Sequence, residues 1–137
     1  MKGLRDLMDI KEPKIEPKEI LILEDDLFNP GNVCIVTGSG TGIGRATSIA
    51  AAANNLMTVG LDIDEEAGKK TQRIAQEMGG QMRFIKTDLT CDEDIEYAVK
   101  EAAKLGTIKF LANIAGIQHI DPVENFPMKK YDLMQRL

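Results

Sequence analysis

Thr37-Gly38-Ser39-Gly40-Thr41-Gly42-Ile43-Gly44 stands between the apolar run Val33-Cys34-Ile35-Val36 and an alanine-rich stretch of helical composition. A strand-to-helix turn built mostly of backbone suits one kind of chemistry, the holding of a phosphate. Gly38 permits the tight turn, Gly42 removes the side chain that would block a pyrophosphate, and Gly44 lets helix and strand pack closely. The following helix N-terminus adds N–H groups and the positive end of its dipole. The spacing is Thr-Gly-x3-Gly-x-Gly, because position 45 is Arg where a Gly-x-Gly-x-x-Gly register needs glycine.

A second group stands where a nucleotide would need it. The next apolar run, Met57-Thr58-Val59-Gly60-Leu61, ends in Asp62, 18 residues beyond Gly44. That is close to the separation of about 20 at which a carboxylate takes the adenine-ribose hydroxyls. Asp62 is also a possible N-cap for the helix that follows, a role Asp64 fills equally well.

The elements that must position these groups belong to one domain. A chain of 137 residues with 43% hydrophobic content supports a single core. The net charge of −5, with 17 basic residues scattered among 22 acidic ones, disfavours nucleic acid as a partner. No apolar run reaches the roughly 18 residues of a membrane span, and the charged N-terminus has no signal-peptide core. A cytoplasmic protein with no membrane partner is the expectation. Cys34 and Cys91 lie far apart without a Cys-x-x-Cys pattern, and the single His119 has no second histidine, so no metal site is expected. Both cysteines read as small packing residues. His119 reads as a surface or packing residue.

Residues 1–32 read as an extended arm, since Lys11-Glu12-Pro13-Lys14-Ile15-Glu16-Pro17-Lys18 is charged and broken by proline. Residues 33–137 alternate apolar strands with helical patterns, the signature of a parallel α/β sheet. The predicted strands are Val33 to Thr37, Met57 to Asp62, Met82 to Thr87 and Ile108 to Asn113. The predicted helices are Ile43 to Asn54, Glu65 to Met78 and Asp92 to Leu105. Thr90-Cys91-Asp92-Glu93 has capping-box spacing, while Gly79-Gly80 and Gly106 supply stops. Right-handed crossovers then give the strand order 3-2-1-4. The switch point falls between strands 1 and 4, so Gly38 to Gly44 and Asn113 to Gly116 should meet in one crevice.

These motifs together resemble the N-terminal half of the short-chain dehydrogenase/reductase family over residues 33–137. The Thr37 to Gly44 turn is similar to the family's cofactor turn, Asp62 to its NAD-selecting acid, and Asp88-Leu89 to its adenine-contacting pair. Asn113-Ile114-Ala115-Gly116 resembles the family's Asn-Asn-Ala-Gly, with Ile114 replacing the second Asn. The resemblance implies an incomplete Rossmann-type doubly wound parallel sheet. It also implies NAD binding by Gly38, Ser39, Gly40, Thr41, Gly42, Ile43, Gly44, Asp62, Ile63, Asp88, Leu89, Asn113, Ala115 and Gly116. NAD is expected over NADP because a 2′-phosphate beside Asp62 would be repelled, and neither Thr41 nor Ile63 is basic.

The family's proton relay, a Tyr with a Lys four residues later and a Ser, is absent. Tyr97 has Lys100 three residues on and lies within a helical pattern, where it reads as half-buried; Tyr131 has no lysine after it and matches an aromatic near the start of the family's fourth helix. The expectation is a fragment without its own turnover, cut within that helix, whose parent is an NAD-dependent enzyme and, by resemblance, a homo-oligomer acting on a small alcohol or ketone. Apolar surface on strand 4 should then be exposed. Ile117-Gln118-His119-Ile120-Asp121-Pro122 resembles the 3-hydroxybutyrate dehydrogenase branch, in which the Gln helps hold the substrate carboxylate. A solvated loop residue is the other reading of Gln118. A catalytically inactive dinucleotide-binding module and a non-binding fragment are the alternatives for the whole chain.

Overall fold

The computed structural model describes residues 13–137. Four parallel strands form one sheet: β1 (Asn32–Thr37), β2 (Met57–Asp62), β3 (Met82–Lys86) and β4 (Thr107–Ala112), in the order β3-β2-β1-β4. The crossovers are α1 (Gly42–Ala53), α2 (Glu65–Glu77) and α3 (Asp92–Ala103), and a fourth helix, α4 (Met128–Arg136), follows β4. The order and the element sequence are those the patterning predicts. The boundaries differ by a residue or two where the chain leaves a strand or where a last helical turn tightens.

β1 is central, with Val33 opposite Met57 on one side and Ile108 on the other. Its side chains alternate between two cores, which is why an unbroken apolar run forms it. Val33 and Ile35 join Val59, Leu61 and Ile85 against Ala98 and Ala102 of α3. Cys34 and Val36 join Leu56 on the opposite face, beside Phe28 and Phe110, whose rings stack at 5.6 Å. Ile49 and Ala52 of α1 meet Ala75 of α2 and Met82 of β3 in a third cluster. Burying each of the larger of these side chains contributes roughly 1.5–3 kcal/mol.

α2 starts at Asp64, whose Oδ1 accepts the N–H of Ala67 at 3.0 Å, so Asp64 and not Asp62 is the cap. α3 departs from the expected capping box. Thr90 Oγ1 donates to Asp88 Oδ1 at 2.7 Å instead of capping, and Cys91 becomes the cap residue. Cys91 is thus half-buried at a helix entry, with its thiol donating to Glu93 Oε2 at 3.2 Å, whereas Cys34 is buried in the core as expected. Burial pushes the Cys34 thiol pKa up. Tyr97 corrects another expectation: it is 57% exposed on the outer face of α3.

The described part of the arm is docked. Ile15 and Ile20 pack against the Ile49 cluster, and a short 3₁₀ turn spans Pro17–Glu19. The buried Asn54 at the end of α1 donates to the carbonyl of Leu21 at 2.9 Å and accepts the N–H of Leu23 at 2.7 Å. Residues 1–12 of the arm lie outside the described residues. β4 is an edge strand, and its Leu111 is 60% exposed. Among the described residues no helix is long and apolar enough to cross a membrane.

Candidate functional site

The carboxyl ends of β1, β2 and β4 converge on a cavity of about 560 Å³ at the switch point of the sheet. The turn between β1 and α1 supplies one wall through Gly38, Thr41, Gly42, Ile43 and Gly44. Asp62 and Ile63 after β2, Asp88 and Leu89 after β3, and Ala115 and Gly116 after β4 supply the others.

The turn is drawn tight by backbone contacts that exclude any side chain. Gly38 has φ +68°, and a Cβ there would lie 2.8 Å from Ala115 Cα. At Gly44 a Cβ would lie 1.9 Å from the carbonyl oxygen of Gly38, the close helix-to-strand approach that the sequence suggests. Gly42 is different. Its φ is +53°, a left-handed value that favours glycine, and a Cβ would meet nothing within 4 Å, so the side facing the cavity is open. Thr41 is the cap residue of α1 but makes no side-chain cap bond, so its hydroxyl does not occupy the first-turn N–H groups that can take an anion.

Asp62 touches the turn directly. Its Oδ2 accepts the N–H of Gly40 at 2.7 Å and its Oδ1 accepts that of Asp64 at 2.9 Å. Each oxygen keeps a lone pair for a hydroxyl donor from the cavity. On the β3 side, Asp88 Oδ1 accepts from the hydroxyl of Thr90 at 2.7 Å and from its N–H at 2.9 Å, while Asp94 Oδ2 accepts the N–H of Asp88 at 2.9 Å. The Thr90 hydroxyl and then its N–H hold the Asp88 carboxyl below the ordinary carboxylate range, with the charge of Arg136 adding to the effect.

Three of the residues expected to bind cofactor do not form the cavity wall. The Ser39 side chain is wholly buried beneath the turn, against Gly60, and Gly40 faces Asp62 and Ala67. Asn113 is exposed, and the neighbouring Ile114 lines the cavity in its place. Gln118 is exposed on the loop after Gly116 and also stands outside the wall. Its neighbour His119 is held, with Nε2 2.8 Å from Asp121 Oδ2 and its ring edge-on to Phe126.

Sequence reasoning missed Thr87, Thr90 and Ile117, and Leu133 of the fourth helix with Leu137 just past its end, all of which line the cavity. The i, i+4 spacing of the two leucines was the signal available for one apolar helix face. Arg136 Nη2 donates to the carbonyl of Thr90 at 3.1 Å and ties that helix to the β3 side of the site.

The site is a backbone cradle with Asp62 after β2, Asp88 after β3 and mostly apolar walls. It fits a dinucleotide: N–H groups for phosphates, a carboxylate for ribose hydroxyls and apolar side chains for a base. Known proteins agree with the architecture. Residues 32–136 match the family model described as short chain dehydrogenase. An "uncharacterized oxidoreductase" of Thermotoga maritima is 30% identical over 108 residues, which cover 78% of this chain and 42% of that protein. A D-beta-hydroxybutyrate dehydrogenase of Rhizobium meliloti is 29% identical over 101 residues, covering 72% of this chain and 39% of that one. The crystal structure of an NAD+-bound xylitol dehydrogenase superposes with a TM-score of 0.74 at 33% identity, covering 80% of this chain and 42% of that one. The chain thus spans less than half the length of these relatives. From the turn, the sheet order and the match over residues 32–136, this chain belongs to the short chain dehydrogenase family.

Proposed function

We propose that the chain is the NAD-binding half of a dehydrogenase that interconverts a hydroxyl and a carbonyl group on a small substrate, of which a 3-hydroxy acid is the preferred class. The observation that carries the cofactor reading is Asp62, which lines the cavity while engaging the glycine turn through Gly40. A carboxylate there accepts from ribose hydroxyls and repels a 2′-phosphate, and the adjacent Thr41 and Ile63 bring no positive charge to offset it. The NAD+ of the xylitol dehydrogenase supports the same reading.

Each wall has a task in this proposal. The first-turn N–H groups of α1 hold the pyrophosphate, Asp62 the adenine ribose, and Asp88 with Leu89 the adenine edge. Ala115 and Gly116 let the nicotinamide end approach the backbone of the β4 turn. A nicotinamide dinucleotide, when bound, supplies the hydride acceptor or donor. Ser39, Gly40 and Asn113 act through the backbone and through loop shape. Gln118 lies just past the Gly116 turn, where an amide N–H can bond a substrate carboxylate, and the similarity to the D-beta-hydroxybutyrate dehydrogenase supports that assignment.

Calorimetric titration of the chain with NAD and NADP tests the reading. Tighter binding of NAD, abolished by Gly42→Val, is the expected result, because a β-branched residue would both strain the turn at φ +53° and occupy the open space over it. Unaltered NAD affinity in Gly42→Val, or a preference for NADP, would refute the assignment of the site or of its cofactor respectively.

A further inference from the structure

A charged side chain lies buried under the glycine turn, outside the group expected to touch a cofactor. Arg45, in the first turn of α1, is only 6% exposed. Its Nη2 donates to the carbonyl oxygen of Gly40, and its Nε donates to Thr71 Oγ1 of α2 at 3.0 Å. The Thr71 hydroxyl lies 3.3 Å from the same Gly40 carbonyl and 3.1 Å from that of Ala67. The other end of Gly40 is equally engaged, since its N–H goes to Asp62 Oδ2. One glycine is therefore held by an arginine through its C=O and by the cofactor-site carboxylate through its N–H.

From this we infer that Arg45 is a positioning residue for the dinucleotide site, acting through Gly40 to fix Asp62. The inference rests on the NAD-binding reading above and extends it. Gly40 has no side chain to restrict its backbone, and a Cβ there would crowd Asp62 Oδ2 at 2.8 Å, so the two peptide units flanking it must be oriented by their hydrogen bonds. A guanidinium suits the task because its planar fork reaches two acceptors at fixed angles, whereas an ammonium is a point donor on a flexible stem. Burial strengthens the grip, because a charge-assisted hydrogen bond in a low-dielectric setting is stronger than a neutral one. The arginine at position 45, which takes the chain out of the commoner glycine register, thereby braces the turn from below. Asp62 accordingly does two things, and its orientation depends on a residue that does not line the cavity.

The test is a double-mutant cycle on the full chain. NAD affinity is measured by calorimetry for wild type, Arg45→Met, Asp62→Ala and the double variant, with hydrogen exchange at the Gly40 amide followed by NMR in the absence of ligand. Arg45→Met should weaken NAD on the order of tenfold, as expected for losing a hydrogen bond to a charged group. It should also speed Gly40 exchange, and it should cost little further in the Asp62→Ala background, because positioning has no object once the carboxylate is gone. Thr71→Val, which removes the hydroxyl that bridges Arg45 to α2, should give a smaller loss in the same direction and serves if Arg45→Met does not fold. Arg45→Lys should fail to restore affinity despite keeping the charge. Losses that add in the double variant, or a variant with unaltered NAD affinity and unaltered Gly40 exchange, would overturn the role given to Arg45. A wild-type chain that leaves NAD unbound while Gly40 exchange is slow would instead overturn the dinucleotide reading.

Discussion

The hydroxyl oxygen of Thr37 accepts the backbone N–H groups of both Ile114 and Ala115, at 3.0 and 3.1 Å. The last residue of β1 thus ties down the turn that leaves β4, and Gly38 beside it admits Ala115 because it has no Cβ. Two segments more than 70 residues apart in sequence are joined beside the cavity wall by one side-chain oxygen.

That contact gives a stability prediction. Thr37→Val keeps the shape and removes the acceptor, leaving two part-buried N–H groups without it. Urea unfolding should show a loss of about 1–3 kcal/mol, with Thr37→Ser close to wild type. NAD affinity should fall in Thr37→Val alone, since the β4 turn loses its position. Equal stability of the valine and serine variants would show that the hydroxyl contributes nothing.

Cofactor choice should move with Asp62. If Asp62 has the role proposed above, removing its carboxylate takes away the acceptor for ribose hydroxyls and the repulsion against a 2′-phosphate. Competitive titration of Asp62→Ala should show the NAD-to-NADP preference shifted by on the order of tenfold, equivalent to about 1.4 kcal/mol. The same substitution frees the Gly40 N–H, so a lower melting temperature should accompany the altered preference.

Asp88 should titrate below its ordinary value of 3.8 because Thr90 donates to it twice. A folded-state pKa below the unfolded one stabilises the fold fully above the unfolded value, and the contribution is lost as pH falls through the folded value. The affected window is therefore acidic, below about pH 4, and neutral conditions lie outside it. Carboxyl-carbon NMR should place Asp88 below 3.8 in wild type and nearer to it in Thr90→Val. No change on removing the Thr90 hydroxyl would show that the hydrogen bond has no effect on titration.

Turnover by this chain alone should be absent. Tyr97 is followed by Lys100 at the wrong spacing and is exposed on α3, with Lys100 engaged by Glu96 at 3.0 Å. Tyr131 has no lysine after it. Neither tyrosine is therefore followed by lysine at the Tyr-x-x-x-Lys spacing, the arrangement that would take a hydroxyl proton as hydride departs. Purified chain given NAD and 3-hydroxybutyrate should form no reduced nicotinamide by absorbance. Sustained reduction would require a base other than these tyrosines.

What the sequence determined by itself was the part of the molecule governed by local and periodic rules. The unbroken apolar runs of β1 and β2 imply strands buried on both faces, and strand–helix alternation with right-handed crossovers leads to the order β3-β2-β1-β4. The glycine spacing places a phosphate-sized turn after β1, and the distance to Asp62 places a carboxylate near it. Only the tertiary structure decided which polar groups found one another. Thr90 chose Asp88 over the α3 cap, and Asn54 chose the backbone of the arm. Arg45 reached under the turn to Gly40, and Leu133 of α4 and Leu137 after it became part of the cavity wall. The reason is physical. Patterning reports the face on which a side chain lies, but a buried donor pairs with whichever acceptor the packing of distant segments brings within about 3 Å, and that proximity is a property of the assembled fold.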